Sequence, residues 1–66
     1  MNNENIVTGI QKLAENALES ARSLIRGKCQ LEATVALNQY QEFSMQAGTY
    51  DEAEFFRLGN DILALK

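Results

Sequence analysis

Apolar side chains recur at helical spacing from near the start of the chain. Ile6, Val7, Ile10, Leu13, Ala14, Ala17, Leu18, Ala21, Leu24 and Ile25 follow the i, i+3, i+4, i+7 pattern of one helical face. Glu15, Asn16, Glu19, Arg22 and Ser23 fall on the opposite, wet side. The pattern predicts a first helix over residues 3–26. Asn2 or Asn3 is suited to cap its start. Lys12–Glu15 and Glu19–Arg22 are i,i+3 ion pairs that add roughly a few tenths of a kcal/mol each.

A second stripe, Cys29, Ala33, Ala36, Leu37, Tyr40, Phe43 and Ala47, predicts a helix over residues 28–47. Leu31, Val35 and Met45 lie nearly opposite that stripe. A helix apolar on two sides is either central in its bundle or presents a second surface to a partner. At about 100° per residue, the centre of the apolar face turns by about 90° across Gly27. Gly27 suits the left-handed position that closes a helix, with Arg26 and Lys28 at the negative end of the dipole. These features favour a break or kink at residues 26–28. The alternative is one long kinked helix over 3–47 followed by a short antiparallel helix.

The next boundary is sharper. Gly48 can take the left-handed turn that ends a helix. Thr49-Tyr50-Asp51-Glu52 matches the S/T-x-x-E capping box, with Thr49 as the cap. A tight hairpin at 47–49 should therefore make the second and third segments antiparallel neighbours. The last helix is expected over 50–65. Its Phe55, Phe56, Leu58, Ile62, Leu63 and Leu65 cover about half the circumference, enough to touch two neighbours. Gly59 lies at the centre of that face. The expected fold is an all-α, three-segment bundle forming a single domain over 1–66.

Size adds a constraint that the pattern does not. The chain has 66 residues, is 45% hydrophobic and carries 20 large apolar side chains, with Met1 left uncounted. A domain of this length buries only about 60% of its unfolded surface, and its core rarely supplies more than about 3–5 kcal/mol. One Cys excludes an internal disulfide. Self-association is the remaining common source of stability, so a homodimer is expected. No apolar run approaches the roughly 20 residues that span a bilayer. The polar start Met1-Asn2-Asn3-Glu4-Asn5 lacks the features of a secretory signal. With a lone thiol added, these features point to the cytoplasm, with no membrane partner.

The candidate chemistry is sparse. The sequence has no His, which removes the commonest general base and metal imidazole. Asp51 and Glu52 are explained by helix capping, while Glu54, Arg57 and Asp61 form a charged stripe expected to face solvent. Cys29 has no base to activate it and sits on the apolar stripe, where a small buried residue fits. Neither a catalytic residue, a metal site nor a cofactor is expected. Arg22, Arg26 and Lys28 form the only basic cluster and are the candidate nucleic-acid contacts. The net charge of −3 argues against that partner. All five aromatics, Tyr40, Phe43, Tyr50, Phe55 and Phe56, fall near the second turn. They suit a shared core, with Tyr50, Phe55 and Phe56 also candidates to anchor a partner.

Gly48-Thr49-Tyr50-Asp51-Glu52-Ala53 resembles the G-x-Y-x-x-A turn of a tetratricopeptide repeat, which joins two antiparallel helices. Gln41 and Ser44 stand where the repeat has Leu and Tyr, and there is no second repeat. In size, helical content and the stretch Tyr50-Asp51-Glu52-Ala53-Glu54-Phe55-Phe56-Arg57, the chain is similar to the small all-helical early proteins of the lambdoid phage exo–xis region. That resemblance implies a non-enzymatic, dimeric modulator of host physiology or of the choice between lysis and lysogeny. The functional expectation is a non-catalytic protein–protein interaction module acting by helix-face docking. Leu31, Val35 and Met45 are its first candidate surface, facing either a sister subunit or a foreign protein. A nucleic-acid-associated regulator is the alternative.

Overall fold

In the computed structural model, which describes residues 3–65, the chain forms three helices and, among those residues, no strand. They are α1 (Asn3–Arg26), α2 (Gln30–Ala47) and α3 (Glu52–Leu63). The cap expected at Asn2 or Asn3 lies outside the described side chains.

The chain breaks after α1, so the single helix over 3–47 is not formed. The Cys29 amide donates to the Leu24 carbonyl at 2.8 Å and the Lys28 amide to Ile25 at 3.0 Å. These are the 6→1 and 5→2 bonds of a Schellman closure. The left-handed residue is Lys28, with φ of 60°, and not Gly27. Gly27 still donates back to Ser23 at 3.0 Å, as a helical residue does. Its expected role has therefore passed to its neighbour. The same closure recurs after α2: Thr49 donates to Ser44 at 2.9 Å and Gly48 to Met45 at 3.3 Å, with Gly48 at φ 74°.

That second closure moves the start of α3. The Thr49 amide is committed to Ser44, and the Asp51 amide donates to the Tyr40 hydroxyl at 3.0 Å. The link therefore stays extended to Asp51, whose carboxylate accepts from the Glu54 amide at 3.2 Å. Asp51, not Thr49, is the cap, and α3 begins two residues later than the T-x-x-E motif suggested. At the start of α2, Cys29 caps the helix without any side-chain bond to the helix amides.

A three-residue connection turns α2 back along α1, and these two helices form the main body. Their shared core is built largely from alanine: Ala14, Ala17 and Ala21 from α1, Ala33 and Ala36 from α2. Leu37, Tyr40, Leu58 and Ile62 complete it. Side chains this small let helix backbones approach closely, since interaxial distance follows the residues at the contact. Ser44 is fully buried in the same seam, where its hydroxyl donates to the Tyr40 carbonyl one turn back. Phe43 and Cys29, expected on the core stripe, are only half-buried, and Ser44 takes the inner position instead. Ile6 and Val7, expected on the core face of α1, are exposed. α1 has 24 residues and α2 has 18, so at about 1.5 Å per residue α1 is longer by about 9 Å. Its first turns therefore run on beyond the end of α2.

α3 lies across this hairpin through Leu58 and Ile62, its two buried side chains. Gln30 Nε2 donates to the Ile62 carbonyl at 2.9 Å, which joins the start of α2 to the end of α3 and makes the pair antiparallel. An aromatic row closes the other end, with ring centroids 6.2 Å apart for Tyr40–Tyr50 and 5.9 Å for Tyr50–Phe55. Tyr40 thus serves the core with its ring and the second link with its hydroxyl.

Lys28 holds a conformation that costs an L-residue roughly 1–2 kcal/mol. Lys28→Gly removes that strain at the price of some unfolded-chain entropy. It is expected to stabilise the fold by about 0.5–1 kcal/mol in urea denaturation. A lower midpoint would show that Lys28 is not left-handed in solution.

Candidate interaction surface

Because alanines fill the seam, several larger apolar side chains remain outside it. On α2, Leu31, Val35 and Met45 are 77%, 53% and 55% exposed. At about 100° per residue, residues 31, 35, 38, 42 and 45 fall within one narrow face. The face is therefore apolar at both ends and polar at its middle, where Asn38 and Glu42 sit.

α3 extends this face. Phe56 and Leu63 are exposed, and with Gly59 they follow i, i+3, i+7 spacing. A groove of about 280 Å³ separates them from α2. Leu37 and Gly59 lie at its base, and Thr34, Asn38, Phe56 and Leu63 are among its walls. A Cβ on Gly59 would meet Leu37 Cδ2 at 3.9 Å, an ordinary contact. The glycine is thus not demanded by crowding, but its missing side chain leaves the base of the groove open. Of the six residues expected to form an interface, Leu31, Val35, Met45 and Phe56 are exposed, while Tyr50 and Phe55 are half-buried in the aromatic row. Leu63 belongs beside them and was not among the expected residues. Its place on the Phe56–Gly59 stripe was the available signal.

The basic cluster has a different setting. Arg22 donates across the helix packing to the Glu54 carboxylate, and Arg57 donates to both oxygens of the same carboxylate at 2.8 Å. Glu54 was expected on a solvated stripe, but its side chain is only 16% exposed. Nothing local in the sequence marks a pair 32 positions apart, since its partner is supplied by the fold. The Arg22 bond, followed by that from Arg57, holds the Glu54 carboxyl below its ordinary value. The same bond to Glu54 raises Arg22. Arg22, Arg26 and Arg57 share a small cleft with Asp61, whereas Lys28 occupies the left-handed link. Two carboxylates thus offset much of the positive charge that the cluster presents.

Among the described residues, no group of three His, Cys, Asp or Glu side chains is placed to hold a metal ion. Nor is any described helix long and apolar enough to cross a membrane. Cys29 is a free, half-buried thiol. No family model, curated protein or solved structure matches the chain.

A depressed carboxyl contributes stability that is complete above the ordinary Glu value of 4.5 and is lost as pH falls through the lower folded value. Thermal melts from neutral to acid pH should show this loss in the wild type. Glu54→Gln should melt lower at neutral pH and lose less on acidification. Parallel curves for the two proteins would show that the Arg22–Glu54 pair is not formed in solution.

Proposed function

We propose that this chain is a non-catalytic protein–protein interaction module that docks through the exposed face of α2 and the adjoining edge of α3. The observation that supports this reading is an open groove walled by Thr34 and Asn38 of α2 and by exposed Phe56 and Leu63 of α3, with the exposed Leu31, Val35 and Met45 on the same α2 face as Asn38. Scattered apolar residues are ordinary on a protein surface, but a contiguous set rimmed by polar residues marks an interaction site. Helix-in-groove recognition lays an apolar helix stripe against a groove; here Leu31 and Val35 supply i and i+4, and Asn38 stands at i+7. The lack of any His supports a binding role over acid–base chemistry. A cytoplasmic setting suits the free thiol of Cys29. On the resemblance to small early phage proteins, the docked protein would be a regulator of host physiology or of phage development.

Val35→Glu tests the docking reading. Glu is a better helix former than Val, so circular dichroism should be unchanged. The immobilised variant, placed in extract of the native host beside the wild type, should lose the proteins that the wild type retains, its own second copy included. Equal recovery by both would remove this face from the interaction.

A further inference from the structure

The face of α2 has an internal symmetry that identifies an occupant. Leu31 and Met45 lie seven residues to either side of Asn38, on the same side of the helix. Seven residues are about two turns, so the three side chains stand in line, apolar, polar and apolar. We propose that this face pairs with the same face of a second copy of the chain, the two α2 helices running antiparallel about a two-fold axis beside Asn38. The proposal deepens the docking reading above and rests on it.

In that arrangement, residues equally far from Asn38 on opposite sides meet. Leu31 of each copy covers Met45 of the other, and Asn38 meets its own counterpart. An amide carries both donors and an acceptor, so two symmetry-related Asn side chains can exchange hydrogen bonds. Glu42, the other polar residue of the face, lies four residues beyond Asn38 and so opposite Thr34 of the other copy; a polar residue within a helix seam is a known means of fixing register.

Charge sets the direction. Exposed Arg26 and Lys28 precede α2, and exposed Asp51 and Glu52 follow it. Antiparallel pairing places Arg26 and Lys28 of one copy, with Glu32 close by, beside Asp51 and Glu52 of the other, whereas parallel pairing would set the two acidic ends together. The surface available also fits. The chain exposes 4673 Å², while a compact protein of its mass would expose about 4200 Å². A standard interface takes about 800 Å² from each partner, roughly a sixth of this surface. Of the exposed large apolar side chains, Leu31, Val35, Met45, Phe56 and Leu63 belong to α2 and α3, while Ile6, Val7 and Leu13 form a separate set on α1.

Symmetric cross-linking tests the axis. The background is Cys29→Ser, which removes the native thiol and supplies a better helix cap. Paired helices about 8–10 Å apart bring facing Cα atoms within the roughly 4.4–6.8 Å a disulfide needs. Under oxidised glutathione, Asn38→Cys should become a covalent dimer that runs at twice the monomer mass on a non-reducing gel. Leu31→Cys alone should stay monomeric, because its two copies would lie about 21 Å apart. An equimolar mixture of Leu31→Cys and Met45→Cys should cross-link. Self-linkage of Leu31→Cys, or a monomeric Asn38→Cys, would overturn the proposal. If Asn38→Cys stays monomeric while Val35→Glu still abolishes capture of another protein, the second copy is the wrong occupant and the docking reading stands. If Val35→Glu changes nothing either, both fail.

Discussion

The close approach of α1 and α2 across an alanine seam is the constraint on which the rest of the molecule depends. Ala14, Ala17 and Ala21 meet the α2 face that carries Ala33 and Ala36, and Ala21 and Ala33 are completely buried. Each methyl group removes little area from water. The seam therefore derives its strength from backbone proximity and dense packing, not from large side chains. A helix pair held this way has no room for Leu31, Val35 or Met45, and these must lie elsewhere. The exposed face of α2 is thus a consequence of how α2 binds α1.

The turns and the third helix follow from the same geometry. Two Schellman closures end α1 and α2, one through a left-handed glycine and one through a left-handed lysine. Tyr40 connects the seam to the second link, since its ring is buried and its hydroxyl accepts from the Asp51 amide. α3 then adds Leu58 and Ile62 to the core and brings Glu54 within reach of Arg22. A partly exposed ion pair of this kind contributes on the order of 1 kcal/mol or less, less than the two buried apolar side chains beside it. Packing holds α3 in place, and the Arg22–Glu54–Arg57 cluster fixes its lateral position.

Much of this was legible from the order of residues. The 3.6-residue period located all three helices, and Gly48 marked the second break correctly. The first break was visible as a rotation of the apolar face, but its left-handed residue was not: glycine propensity pointed to Gly27, while the hydrogen-bond register selected Lys28. Likewise Thr49 fitted the capping box, yet Asp51 is the cap. The Schellman bond to Ser44 and the Tyr40 hydroxyl decided between them: the first commits the Thr49 amide to the end of α2, and the second reaches Asp51 from eleven residues back. Glu54 looked like a surface charge for the same reason, because Arg22 is distant in sequence. The exposure of Leu31, Val35 and Met45 could be anticipated, since they lie opposite the alanine face. The groove could not, because it exists only once α3 is set beside α2.

Equilibrium urea denaturation of Ala33→Leu tests the seam most directly. Leu is nearly as good a helix former as Ala and far more hydrophobic. A loosely packed pair would therefore gain stability from it. The tight seam predicts the opposite, a loss of roughly 1–3 kcal/mol from overpacking. An unchanged or higher midpoint would contradict the close approach of α1 and α2.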